Sequence, residues 1–529
     1  MTYAFPSCEQ PTGSRTHPRT GQNHQGHPAW HQTPPSLPTA PREWRPILLG
    51  LLCLLLPLGG LRAQTTSRYT QVSGGETYTM ALRADGTLWA WGGNSYGQLG
   101  TGNTTGRLLP AQVAAPAAAT PGTTWTSVSS GPIHVVARRS DATLWGWGYN
   151  NSGQLGDGTT TNRVTPVLIA VPAGAAPATT WGQLSTNQRH TLALRSDGSL
   201  WAWGENASGV IGDNSTTNRL TPTAVTRPAS AAAGTTWTQV AAGNNHSLGL
   251  RSDGTLWAWG NNSYGQIGDN STTTRLLPTA VATPAGAAAG TTWAQIAAGI
   301  YHSVALRSDG TLWTWGYNGF GQLGDASTTA SNVPVAVVTP GTVGAGTRWT
   351  SVAASDNHTV ALRSDGSLWA WGYNAYAQLC DNSLINRPTP VRETTSGSWG
   401  QIATSRYHTL AISTSTGQVF ASGFNAQGQL GGGNTTNSQV LVASVAPVLS
   451  ARPAAATRLA VYPNPARGQC QLPALPPAAT LQLTDSQGRL VRSQPAMPTL
   501  NLVGLTTGLY LLRVQAPSQP PRLARLVVE

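Results

Sequence analysis

Between residue 69 and about residue 449, apolar and polar positions repeat in one order seven times. A representative unit opens with the alternating run WTQVAAG from Trp237 and continues with HSLGLR from His246. After the turn residues Ser252-Asp253-Gly254 come TLWAWG, a glycine-rich stretch NNSYGQIGDN and a segment ending in Pro278-Thr279-Ala280. Alternation with a period of two, bounded by turn residues, predicts short strands. Asp-Gly between two such runs predicts a tight type I′ hairpin with both central residues at positive φ. The second unit has Asp141-Ala142 there, a cost of about 1 kcal/mol for the alanine. The seventh has Ser415-Thr416-Gly417 with one extra residue.

The element WxWG recurs at Trp89, Trp145, Trp201, Trp257, Trp313 and Trp369, 56 residues apart each time, with a degraded copy VFASG at Val419–Gly423. The units open at Tyr69, Trp125, Trp181, Trp237, Trp293, Trp349 and Trp399. One such unit cannot bury both faces of its strands, whereas seven set radially cover one another. The expected fold is all-β, a seven-bladed β-propeller over residues 64–450 followed by a small β-sandwich over residues 457–529. An open solenoid is disfavoured because neither end unit carries a polar capping variant.

Eighteen of the 20 tryptophans fall at three repeat positions, so they answer a packing need before a chemical one. Residues two apart on a strand share a face. Trp257 and Trp259 therefore point together against a neighbouring blade, and Leu256 and Ala258 point the other way. Burying each ring is worth about 4 to 6 kcal/mol as an upper figure. The histidines His134, His190, His246, His302, His358 and His408 share one repeat position, taken by Tyr78 in the first unit. Sevenfold geometry spreads them around a ring, away from the three or four ligands a metal needs. We expect each to be buried and hydrogen-bonded within its own blade. Arg251, Asp253 and their equivalents read as turn formation and surface charge pairing.

Charge narrows the function classes. The formal balance is +12, and all 31 basic residues are arginine, but residues 64–455 hold 19 Arg against 15 Asp and Glu. That near-neutral, dispersed pattern lacks the basic stripe of a nucleic-acid binder. Cys8, Cys53, Cys380 and Cys470 form no metal-ligand spacing and read as incidental thiols. The stretches at Asp213 and Asp269 lack the alternating acidic ligands of a calcium loop. No nucleophile with a base at a known spacing appears, so no catalytic residue, cofactor or metal is expected. Residues 46–61, PILLGLLCLLLPLGGL, are short for a membrane span but suit a signal peptide over residues 44–63, with cleavage between Ala63 and Gln64. Residues 1–43, rich in Pro, Thr, Gln and His, read as a disordered extension or a start assigned too early.

The stretches His246–Gly268 and His302–Gly324 closely resemble the regulator of chromosome condensation repeat. That resemblance covers about 380 residues and implies a seven-bladed propeller binding other proteins through a face or the rim. The C-terminal segment resembles the sorting domain of the type IX secretion system of Bacteroidota. The residues carrying it are Tyr462-Pro463-Asn464-Pro465, the turn Asp485–Arg489, Gly508-Leu509-Tyr510, Arg513-Val514 and Leu526-Val527-Val528. Export across both membranes, contact with the secretion machinery and removal of the module are what it implies.

The leading expectation is a secreted or cell-surface, monomeric, non-catalytic propeller that presents loops to an extracellular protein or glycan. Tyr96, Tyr149, Tyr264, Tyr317 and Tyr373 are the candidate contacts, expected to be exposed. Guanine-nucleotide exchange, the activity of the member that names the family, is one alternative; five consecutive spacings of 56 leave no room for the wedge inserted in that member. A secreted enzyme inhibitor and a polysaccharide-acting protein are others, with Glu205 and Glu393, which stand off the repeat pattern, the first carboxylates to inspect.

Overall fold

The computed structural model describes residues 68–445 and 457–529, apart from loop positions 117, 173, 177–178, 342–343, 345, 460, 474, 476–478, 486–488 and 517–521. The signal-peptide and extension assignments, with Ala63, Gln64, Cys8 and Cys53, lie outside the described residues.

Each repeat folds into one four-stranded antiparallel sheet, and seven such sheets follow in chain order. In the fourth blade the strands are Trp237–Ala242, His246–Arg251, Leu256–Gly260 and Arg275–Ala280, hydrogen-bonded in that order. The strands start and stop where the alternation does, and each of the first six outer strands carries a buried proline beside more exposed residues, as Pro222 shows. A proline there lacks the outward N–H that would invite another strand to an open edge.

The third strand divides its faces as its pattern predicts. Trp257 and Trp259 join a core with Leu192, Leu194 and Trp237, between blades three and four. Leu256 and Ala258 join Trp293, Trp313 and Trp315 between blades four and five. Trp259 is fully buried and Trp257 nearly so, so both are core. Trp89 and Trp91 of the first blade pack on Leu410, Ile412 and Ala421 of the last, and that contact closes the ring.

The hairpin differs from the expected type I′. Arg251 N–H donates to the Thr255 carbonyl across three residues, and Gly254 N–H returns to the Arg251 carbonyl. Only Gly254 has positive φ, at 77°, so the turn is a type I turn ending in a left-handed glycine. The sequence reading counted two loop residues where the ladder leaves three. Asp253 stays right-handed and accepts from the backbone N–H and the hydroxyl of Thr255. Ala142 takes the left-handed place in the second blade at φ 63°.

The C-terminal residues form a five-stranded sheet and a two-stranded ribbon, Gln469–Gln471 with Thr499–Asn501. Cys470 and Leu500 from the ribbon share one core with Leu481, Tyr510, Leu512 and Leu526 from the sheet. This is a small sandwich, as expected. Among the described residues no helix is long and apolar enough to cross a membrane.

Candidate binding face

Register places the functional surface. His246 pairs with Gly260, and Gly260 with Arg275. The loop between the first two strands and the loop between the last two therefore emerge on one face of each blade. The hairpins and the Ala/Pro/Gly-rich connectors emerge on the other.

Beneath the loop face the repeat histidines form a circumferential ring. His246 Nε2 lies 2.9 Å from the Ser303 hydroxyl of the next blade, and that hydroxyl donates at 2.8 Å to the Gln266 carbonyl. The hydroxyl has one proton, given to the carbonyl, so Nε2 carries the imidazole proton. The same relation links His134 to Thr191, His190 to Ser247, His302 to Thr359, His358 to Thr409 and His408 to Thr79. The Nε2 bond thus joins neighbouring blades, and the expected bond within the blade is made at Nδ1 by His358 to Ser355 and by His408 to Ser405. The sequence could not show the bond between blades, because the donor is 57 residues from its acceptor. At the first boundary Tyr78 replaces histidine and bonds the carbonyls of Gly131 and His134. Burial pushes each imidazole down to about 3, which keeps it neutral, and its ring is committed to blade joining.

The arginines are also redefined. Arg251 is buried, with its guanidinium 4.9 Å from the Trp237 ring centre and Nε bonded to the Thr235 hydroxyl. It is a cation–π group that seals the blade, and its charge acts on Asp253 at longer range. The carboxylates of Asp157, Asp213, Asp269 and Asp381 pair with Arg163, Arg219, Arg275 and Arg387, which leaves them no role as calcium ligands. Cys380 and Cys470 are free and buried.

Glu205 pairs with Arg189 at 3.2 Å. Glu393 is buried and accepts from the N–H groups of Thr395 and Gly397 and from the Trp399 indole. Its carboxylate braces the shortened connector between units six and seven, where the spacing falls from 56 to 50. The two carboxylates serve separate local contacts.

What stands on the loop face is aromatic. Starting from Tyr264 in blade four, ring contacts run to Tyr301 and Tyr317, then Phe320, Tyr373 and Tyr376, and end at Tyr407 and Phe424 in blade seven. Centroids are 4.9 to 6.3 Å apart along this path, with planes inclined 57° to 77°. Tyr96 and Tyr149 form a separate pair at 5.0 Å in blades one and two. Of the five candidate tyrosines, Tyr96 and Tyr264 are exposed. Tyr149, Tyr317 and Tyr373 are half-buried, because neighbouring rings pack on them.

Sequence reasoning missed Tyr301, Phe320, Tyr376, Tyr407 and Phe424. The signal was available: Tyr301 and Tyr407 directly precede the repeat histidine, and Phe320 and Tyr376 stand in register with Tyr264. It also missed Glu76, Asp356 and Arg406. Arg406 bridges the two carboxylates at 2.6 and 2.9 Å in the axial cavity, joining blades one, six and seven.

An RCC1-like domain matches residues 126–460, and RCC1 repeats match residues 69–98 and 85–138. The chain belongs to the RCC1 repeat family. Its RCC1-type propeller is 30% identical to the Arabidopsis thaliana ultraviolet-B receptor UVR8 over 69% of this chain and 79% of that one. It is 29% identical to the human E3 ubiquitin-protein ligase HERC2 over 69% of this chain, but this spans only 7% of the larger protein. Among solved structures, human WBSCR16 superposes with a TM-score of 0.58 at 23% identity, covering 66% of this chain and 87% of that one. Prp20p of Saccharomyces cerevisiae does so with a TM-score of 0.58 at 22% identity, covering 72% and 88%. Both share the fold. A secretion system C-terminal sorting domain matches residues 460–529. The protein is therefore a secreted or cell-surface RCC1-type propeller, delivered through its C-terminal module.

Proposed function

We propose that the propeller is a non-catalytic binding module that engages an extracellular partner, a protein or a glycan, through the aromatic arc of its loop face. The observation that carries this reading is the unbroken series of ring contacts from Tyr264 to Phe424, confined to four of the seven blades. The frame repeats, whereas the arc does not, so the frame's packing needs do not account for it. Each ring is held by the edge of the next, so little rotamer freedom is lost on binding. The surrounding Tyr, Asn, Ser and Gly have the composition of adaptable protein-binding loops.

Glu205 and Glu393, each committed to its own local contacts, support the absence of acid–base catalysis. The names of relatives, an ultraviolet-B receptor and a ubiquitin ligase, describe those proteins. Nucleotide exchange remains the alternative that family membership raises; against it stand the even repeat spacing and the export module, which separates the chain from cytoplasmic GTPases.

The test is capture from culture medium and envelope fractions with the secreted protein as bait. A defined protein or glycan, lost when Tyr264, Tyr317 and Phe320 are changed to serine, supports the reading. Capture unaffected by those changes, or acceleration of nucleotide release from a small GTPase, refutes it.

A further inference from the structure

The position two residues before the repeat histidine is neutral in four units, at Pro132, Gln188, Asn244 and Ile300, and charged in three, at Glu76, Asp356 and Arg406. Those three charges meet in the axial cavity of about 330 Å3. Arg406 donates through Nη1 to Glu76 Oε1 at 2.6 Å and lies with Nε 2.9 Å from Asp356 Oδ2. Two carboxylates face one guanidinium, so with both ionised the cluster carries one uncompensated negative charge. Asp356 is 8% exposed, and its Oδ1 has no hydrogen-bond partner among the described residues. That oxygen opens to the cavity, where it can accept from an incoming cation. An aliphatic side chain lines the wall from blades two to seven, and the residues beside it are hydroxylated in blades two and three, as Ser129 and Ser185, and alanine in blades four to six, as Ala241, Ala297 and Ala353. Tyr407, a member of the arc, already stacks under the Arg406 guanidinium at 5.0 Å.

We infer that the mouth of this cavity is a receptor for one basic side chain, arginine or lysine, of a protein that lies on the aromatic arc. The inference rests on the proposed binding role and assigns the partner's chemistry. An incoming guanidinium or ammonium donates to Asp356 Oδ1 and restores charge balance, and its alkyl stem lies along the aliphatic residues of the cavity wall. A neutral sugar supplies no charge, and a hard metal ion would need six or more oxygens beside a repelling guanidinium. Burial pushes the Asp356 carboxyl up to about 7, consistent with that missing cation. The charged and titratable groups facing it are Glu76 from blade one and Arg406 and Tyr407 from blade seven. His358, beside it in sequence, is engaged by Ser355 and Thr409.

The test titrates capped arginine, N-acetyl-arginine methylamide, into the secreted protein by calorimetry, with capped citrulline as the neutral isostere. Capped arginine is expected to bind at least about tenfold more tightly than citrulline, and at least about tenfold more tightly at pH 8 than at pH 5.5, where Asp356 is protonated. Asp356→Asn and, independently, Glu76→Gln weaken it by a similar factor while the melting temperature stays within a few degrees. Serine at Tyr264, Tyr317 and Phe320 abolishes partner capture but spares capped-arginine binding, which separates this inference from the binding role itself. Equal binding of citrulline, undiminished binding by Asp356→Asn, or a neutral glycan as the captured partner overturns it.

Discussion

The boundary between blades six and seven carries a paired substitution whose energetics can be worked out. At the other boundaries a left-handed glycine lies under the indole of the next blade's second WxWG tryptophan. A Cβ added at Gly324 would sit 2.6 Å from Trp371 Nε1, and Trp371 donates to the Gln322 carbonyl. In the sixth blade that glycine is Cys380, at φ 59°, and the facing tryptophan is Ser422. Both are fully buried, and the thiol donates to the Gln378 carbonyl at 3.6 Å, the acceptor equivalent to the one Trp371 uses at Gln322. Ser422→Trp alone should overlap Cys380 and cost about 2 kcal/mol or more. Cys380→Gly alone relieves a left-handed cysteine worth about 1 to 2 kcal/mol but empties a thiol-sized hole, so the effects nearly cancel. Together they rebuild the standard boundary. The buried indole, after discounts for the unfolded state and side-chain ordering, stabilises by about 2 to 4 kcal/mol. With an unfolding entropy of about 0.8 kcal/mol/K for a propeller of this size, the melting temperature rises by about 3 to 5 °C. Differential scanning calorimetry of the four proteins in the cycle measures this, with a coupling of about 5 kcal/mol expected. Additive effects, or a Ser422→Trp protein as stable as the parent, would show that the cysteine does not replace the indole.

The six neutral imidazoles make the ring acid-labile. Their folded pKa lies below the unfolded value, so the unfolded chain binds more protons between pH 6.5 and about 3. Stability is complete above pH 6.5 and falls as pH drops, by up to about 1.4 kcal/mol per pH unit per histidine; an unchanged urea midpoint between pH 7.5 and 5 would contradict the assignment. Ala142→Gly removes a left-handed alanine and should raise stability by about 1 kcal/mol, read from the same midpoint. Deleting residues 457–529 should trap the protein in the periplasm, seen by fractionation; unchanged secretion would deny the module its role.

The frame was legible in the sequence because its causes are local and repeated. A period of two places Trp257 and Trp259 on one face, and a period of 56 makes that face a blade boundary. The histidine bonds were not legible, since a donor in one blade and its acceptor in the next meet only when the ring closes. Arg251 was misread for a related reason: its position beside Asp253 suggested a charge pair, but the strand turns its guanidinium onto Trp237. The arc was half legible. Tyr264, Tyr317 and Tyr373 stood out as aromatics of the glycine-rich stretch, whereas Tyr301 and Tyr407 come from a different loop and join them only through the strand pairing. Asp356, Arg406 and Glu76 are separated by up to 330 residues, and nothing short of the closed ring brings them together.

The most direct test of the account is tyrosine nitration of the secreted protein with and without its captured partner, read by mass spectrometry. The account predicts protection of Tyr264, Tyr317, Tyr373 and Tyr376, while Tyr96, outside the arc in blade one, keeps its reactivity. Protection confined to Tyr96 and Tyr149, or none on the loop face, would contradict it.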